Sequence, residues 1–295
     1  MAPPVKVGLN IVWPKPELVL DYARLAEDLG FESVWSGEHV SLPHNDHWWR
    51  EFPSAAAAGD KATIDMVPFR PESPFLDPMV VLAQIAAVTK KVRLGIGIYM
   101  LALRNPILVG RTLATLDLMS GGRLDMAVGL GWTADEHTFT ENDWKKRGKR
   151  MNEMIRCLRV LFEEEKPEFH GEFFDFPPIG FEPKPVQKPR FPIHIGGGGE
   201  AAENRAATLG DGWYGSPTNI ASIKEKLKAA GRENDPFVFS ALTLQGPVPL
   251  EELQRMADMG AHRVMVTPWP NTGVGQVGKE GFAAVERYAK DIGLV

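Results

Sequence analysis
Cysteine is nearly absent. Cys157 is the only one in 295 residues, which excludes an internal disulfide and fits a reducing compartment. No uninterrupted apolar run reaches the roughly 18 residues that a membrane-spanning helix needs. The opening MAPPVKVGLNIVW has no apolar core behind a basic start, so no secretory signal and a cytoplasmic setting are expected. Basic charge is not in excess: 33 Lys and Arg against 38 Asp and Glu give a formal net charge of −5. That balance argues against a nucleic-acid or anionic-membrane partner. The first strand candidate runs into Asn10-Ile11-Val12-Trp13-Pro14, without the G-x-G-x-x-G of a dinucleotide fold or the His-x-His that would favour a metallohydrolase. His44, Asp46 and His47 share an irregular stretch but lack recognised ligand spacing, so no metal is expected.

What is present is a regular alternation. Val92 to Trp132 reads as strand, helix, strand: apolar Val92 to Ile98, a helix opened by Asn105-Pro106 and stopped by Gly121-Gly122, then Leu124 to Val128. Similar pairs recur. Strand candidates lie at Val5 to Ile11, Ser33 to Ser36, Ile193 to Ile195, Gly212 to Tyr214, Phe237 to Leu244 and Arg263 to Val266. Apolar residues at helical spacing mark Leu18 to Leu29, Asp77 to Thr89, Met151 to Phe162, Glu200 to Leu209, Ile220 to Leu227, Leu250 to Met256 and Phe282 to Ile292. Eight strand–helix pairs predict an α/β fold, a (β/α)8 TIM barrel forming a single domain over residues 1–295. Two insertions interrupt it, one after strand 2 and one, rich in proline, before strand 5. Within the second, FHGEFFDF predicts a small hairpin at His170-Gly171.

In such a barrel the site lies at the carboxyl ends of the strands. There the sequence places Trp13, Glu38-His39, Gly97-Ile98-Tyr99, Gly129 to Trp132, Gly196 to Gly199, Trp213-Tyr214 and Thr267-Pro268-Trp269. Glycines and aromatics dominate and lysine is missing, which disfavours a Schiff base and suits a flat apolar ring with an anionic tail. Four glycines before Glu200 predict a phosphate site on the free amides of a helix start. Trp48, Trp49 and Phe52 predict an aromatic lid over an apolar pocket. Trp13, Trp48, Trp49, Trp132 and Trp269 are the candidate substrate-pocket residues. The cluster Lys145, Lys146, Arg147, Lys149 and Arg150 reads as a solvated helix start.

Five ordered blocks spanning most of the chain carry a resemblance: VWSGEHVSLP, VRLGIGIYMLALRNP, ATLDLMSGGRLDMAVGLGW, RGKRMNEMIRCLRVLF and EPKPVQKPRFPIHIGGGGEAAENRAATLGDGWY. The chain resembles the bacterial luciferase-like monooxygenase family, in particular the actinobacterial branch that uses the deazaflavin coenzyme F420. The resemblance implies a TIM barrel with a flavin or deazaflavin at the strand ends. It makes His39 the histidine facing the cofactor ring and candidate catalytic residue, with Glu38 beside it. It places a non-prolyl cis peptide at Gly97–Ile98, forming a bulge behind the ring. Gly129 and Gly131 would line the ring or substrate side, and the phosphate would rest on Gly198, Gly199 and Glu200. Many relatives carry Asp where this chain has Glu38. Some carry Glu where it has Trp132, which weakens a substrate-protonating role there. F420-dependent hydride transfer is the leading implication. An FMN-dependent monooxygenase fed by a partner flavin reductase and a non-catalytic flavin-binding protein remain alternatives. A homodimer and a small organic substrate are implied by resemblance alone.

Overall fold
The computed structural model describes residues 2–44, 69–243, 246–269 and 273–295. Chain order gives β1 (Lys6–Asn10), α1 (Val19–Asp28), β2 (Ser33–Ser36), α2 (Pro78–Val88), β3 (Arg93–Tyr99), α3 (Pro106–Ser120) and β4 (Leu124–Val128). A short α4 (Ala134–Phe139) and a long α5 (Arg147–Glu163) follow. After a hairpin of β5 (Phe169–His170) and β6 (Asp175–Phe176) come β7 (Ile193–Gly196), α6 (Glu200–Leu209), β8 (Gly212–Gly215) and α7 (Ile220–Ala229). The chain closes through β9 (Val238–Leu242), α8 (Leu250–Asp258), β10 (Arg263–Val266) and α9 (Glu280–Asp291).

The strands β1-β2-β3-β4-β7-β8-β9-β10 form a closed, all-parallel barrel. The protein is therefore a (β/α)8 TIM barrel. Local chemistry explains its boundaries. The Asp77 carboxylate caps α2 by accepting from the amides of Met79 and Val80, and Asn105 caps α3 through those of Ile107 and Leu108. Gly121 ends α3 in the left-handed conformation, φ +69°. The expected hairpin forms, with Phe169 opposite Phe176. Helix α4 is an addition that the apolar periodicity did not announce.

Strand residues alternate between two cores. Most apolar side chains face outward against the helices. Inside the barrel a smaller cluster of Trp35, Ala127, Tyr214 and Met265 packs with Ile98 and Leu242. Trp35 and Tyr214 stack at 4.8 Å. Glycine makes the room: a Cβ on Gly95 would lie 2.1 Å from the Trp35 ring, and one on Gly97 2.3 Å from that of Tyr214.

The amino-terminal end of the barrel is closed by charge. The Arg93 guanidinium grips Asp125 through Nε at 2.8 Å and Nη2 at 2.6 Å. Arg263 reaches Asp125 at 3.0 Å and Glu32 at 2.6 Å. Arg263 and Arg93 hold the Asp125 carboxyl far below its ordinary range despite burial. Among the described residues, no helix is long and apolar enough to cross a membrane.

Candidate active site at the carboxyl ends of the strands
The opposite end is open. A cavity of about 780 Å³ lies over the carboxyl ends of the strands, a volume that suits a ligand of cofactor size. Its walls include Asn10, Trp13, Glu38, His39, Gly97, Ile98, Gly129 to Trp132, Gly196 to Gly198, Arg147 and Arg205.

His39 follows β2 in a cage of rings: Phe75 at 4.9 Å, Phe69 at 5.0 Å and Trp132 at 5.2 Å. Its Nδ1 lies 3.0 Å from Glu136 Oε2 on α4. Glu136 is fully buried and also accepts from the Val40 amide at 2.7 Å. Next to His39, the Glu38 carboxylate pairs with Arg104 and accepts from the Met100 amide at 2.8 Å. Burial raises the Glu38 pKa, against the lowering effect of the Arg104 charge. Arg104 in turn lies 3.9 Å over the Tyr99 ring. Glu38 thus ties the end of β2 to the segment after β3.

The floor is formed where β3 ends. The Gly97–Ile98 peptide is cis, and the register against β4 shifts between Gly97 and Tyr99. The bulge pushes Ile98 sideways between two glycines. A Cβ on Gly129 would lie 2.6 Å from Ile98 Cγ2, and one on Gly196 2.5 Å from Ile98 Cδ1. Neither position admits a side chain while Ile98 fills the gap.

One side of the cavity is cationic. Gly197 and Gly198 lead into α6, whose start presents backbone N–H groups and the positive end of the helix dipole. Arg205, one turn along α6, and Arg147, at the start of α5, line the same cavity. Arg205 Nε is braced by Asn152 Oδ1 at 2.5 Å. Arg147 stacks 3.4 Å over the Trp144 ring, and its buried Nε has no hydrogen-bond partner among the described residues. Ring-sized space, an apolar floor, a fixed histidine and a cationic glycine-lined end together fit a planar heterocycle with an anionic tail.

A sequence model described as luciferase-like monooxygenase matches residues 6–245. The chain belongs to the luciferase-like monooxygenase family. It is 32% identical over 251 residues to the uncharacterized protein Rv0953c of Mycobacterium tuberculosis, covering 82% of this chain and 84% of that one. It is 27% identical over 245 residues to an F420-dependent glucose-6-phosphate dehydrogenase of Kineococcus radiotolerans, covering 78% of this chain and 64% of the relative. Among solved structures, an F420-dependent secondary alcohol dehydrogenase in complex with an F420-acetone adduct superposes with a TM-score of 0.75. That match is 18% identical and covers 100% of this chain and 99% of the other.

Within this luciferase-like barrel, the cavity brings together His39, Glu38, Gly97, Ile98, Gly129, Gly131, Gly198, Trp13 and Trp132. Trp269 is placed elsewhere. It is buried, with its ring edge-on to Tyr22 of α1 at 5.5 Å. Thr267 and Pro268 carry the chain past the rim, so the indole fills the layer between barrel and helix instead of the cavity. Gly199 caps α6 just outside the lining, and the Glu200 side chain points to solvent, 82% exposed and 3.8 Å from Lys226. Glu200 has only its backbone N–H to offer an anion. Glu38 reaches the wall with both carboxylate oxygens already engaged. Trp48, Trp49 and Phe52, expected as a lid, lie outside the described residues, as do Asp46 and His47. Among the described residues no cluster of three His, Cys, Asp or Glu is poised for a metal.

Three contributors were not singled out from the sequence. Glu136 stands three residues after Thr133, a pattern that signals a helix start and hides any other role. Arg147 sits in a run that reads as solvated cations, yet it folds inward, as does Arg150, whose Nε donates to the Ala102 carbonyl at 2.9 Å, while Lys145, Lys146 and Lys149 stay exposed. Arg205 lies inside an Ala-rich helix with no local signal except its charge.

Proposed function
We propose that the protein is an F420-dependent oxidoreductase that moves a hydride to or from a small organic substrate, acting as a single domain. The observation that carries this reading is the meeting of His39 and the cationic Gly197-Gly198, Arg147 and Arg205 end in one apolar cavity. The preference for the deazaflavin is supported by the Kineococcus relative, which is named as F420-dependent. The ring would rest on the Ile98 bulge, with its anionic tail toward Gly198, the amides of Gly199 and Glu200, and the two arginines.

When bound, F420 supplies a carbon that accepts or donates hydride. The chain supplies the rest. Ile98, flanked by Gly129 and Gly196, fixes the plane on which a ring can lie. Phe69, Phe75 and Trp132 exclude water around His39. With Nδ1 engaged by Glu136, His39 Nε2 would take or give the proton that accompanies the hydride. Trp13 and Trp132 belong to the substrate side, and Trp48 and Trp49 are proposed there with them.

Titration of the purified protein with F420 and with FMN, followed by ligand fluorescence, tests the reading. F420 is expected to bind well below about 100 μM. Binding of FMN alone points to the oxygenating alternative with a reductase partner, and binding of neither defeats the oxidoreductase reading. His39→Ala is expected to lower hydride transfer by about 10²–10⁴-fold or to weaken cofactor binding. Unchanged values for both remove His39 from its role. Self-association is part of the proposal: Val80 on α2 and Leu108 and Met119 on α3 are large apolar side chains exposed on neighbouring helices. Light scattering should report a homodimer.

A further inference from the structure
Glu136 departs from the local rule of its own helix. Thr133-Ala134-Asp135-Glu136 has the spacing of a capping box, and Thr133 Oγ1 accepts from the Glu136 amide at 3.3 Å. In that motif the glutamate carboxylate reaches back to the amide of the capping residue. Here it crosses to the segment after β2. Oε1 accepts from the amides of Val40 at 2.7 Å and Ser41 at 3.4 Å, while Oε2 meets His39 Nδ1 at 3.0 Å. The side chain is fully buried, so this choice of partners is made away from solvent.

The two oxygens are therefore not equivalent. Oε1 faces N–H groups that can only donate. A carboxylate only accepts, so Nδ1 must donate to Oε2. That leaves the lone pair on Nε2, in a ring that lines the cavity and has Phe69, Phe75 and Trp132 around it.

We propose that Glu136 is the positioning residue of this site, fixing His39 as its Nδ1–H tautomer so that Nε2 can accept a proton from the cavity. The inference rests on the reading of His39 as the residue that faces the cofactor. When His39 takes up a proton at Nε2, the carboxylate already in place faces the new positive charge. Glu136 does not itself line the cavity and acts through His39.

The test needs no cofactor. In protein labelled with ¹⁵N-histidine, long-range ¹H–¹⁵N correlation at mildly alkaline pH reports which ring nitrogen carries the proton. His39→Gln identifies the His39 signals among those of the seven histidines. The expected result is Nδ1–H for His39 in the parent protein. In Glu136→Gln the amide oxygen must stay with Val40, so the NH₂ group turns toward Nδ1, which becomes the acceptor. The proton then moves to Nε2 and the tautomer inverts. Glu136→Asp, which keeps the carboxylate, should restore Nδ1–H. An Nε2–H ring in the parent protein overturns the proposal, and so does an unchanged tautomer in Glu136→Gln. If Glu136→Gln fails to fold, the parent spectrum alone decides. Cofactor titration decides the underlying reading separately, so the two can fail independently.

Discussion

The two ends of this barrel handle charge in opposite ways. At the amino-terminal end Asp125, Arg93, Arg263 and Glu32 neutralise one another. At the carboxyl end Glu38 pairs with Arg104 and Glu136 holds backbone amides and His39, while Arg147 and Arg205 face a cavity. The first arrangement sets two arginines against two carboxylates inside the protein, whereas the second lines a cavity with two arginines. Substitutions at the two ends should therefore separate into stability effects and ligand effects.

The largest effect is expected from Asp125→Ala. It leaves Arg93 and Arg263 facing each other without their shared carboxylate, Arg263 being almost entirely buried. Removing one partner of a buried ionic network costs about 3–5 kcal/mol. Urea unfolding should show that loss as a lower midpoint. Cofactor affinity of the fraction still folded should stay as in the parent, and a selective loss of affinity without loss of stability would erase the distinction between the ends.

A pH dependence comes next, again from the closed end. Burial pushes the His194 imidazole down to about 4, against the raising effect of Asp125. The unfolded imidazole titrates near 6.5. Between those values the unfolded chain binds a proton that the folded chain refuses. Stability is therefore full above about pH 6.5 and falls as the pH drops, by about 1.4 kcal/mol per unit. Burial lowers His137 and His262 in the same sense, so the parent slope includes them. Urea midpoints across that window should fall less steeply in His194→Gln. An identical slope would mean that His194 is not held neutral.

The barrel itself was legible because it is written in short-range chemistry. The Asn105-Pro106 cap, the left-handed Gly121 stop and the apolar strand at Leu124 each declare themselves within a few residues. His39 and the Gly97–Ile98 bulge were legible through the resemblance, which carries information that spacing does not. The partners of those residues were not. Glu136 is 97 positions from His39 and Arg104 is 66 from Glu38, and no window of sequence joins them. Trp269 failed for a related reason. An aromatic residue just past a strand can turn to either side of the rim, and only the position of Tyr22 on α1 shows which side offers it a partner.

Arg147 gives the smallest effect and the sharpest contrast within one stretch of sequence. Lys145 and Arg147 belong to the same basic run, yet Lys145 is exposed and Arg147 lines the cavity beside Trp144. If that end receives the anionic tail, Arg147→Ala should weaken F420 or FMN binding by about tenfold, or 1.4 kcal/mol. Lys145→Ala should leave affinity within about twofold, since an exposed charge at the helix start is screened by solvent and salt. The fluorescence titration run at low and moderate salt separates the two. A direct contact keeps most of its effect as salt rises, whereas a diffuse field fades for both variants alike. Equal losses for Lys145→Ala and Arg147→Ala would mean that the open end attracts its ligand through net charge alone, and the inward turn of Arg147 would then carry no binding role.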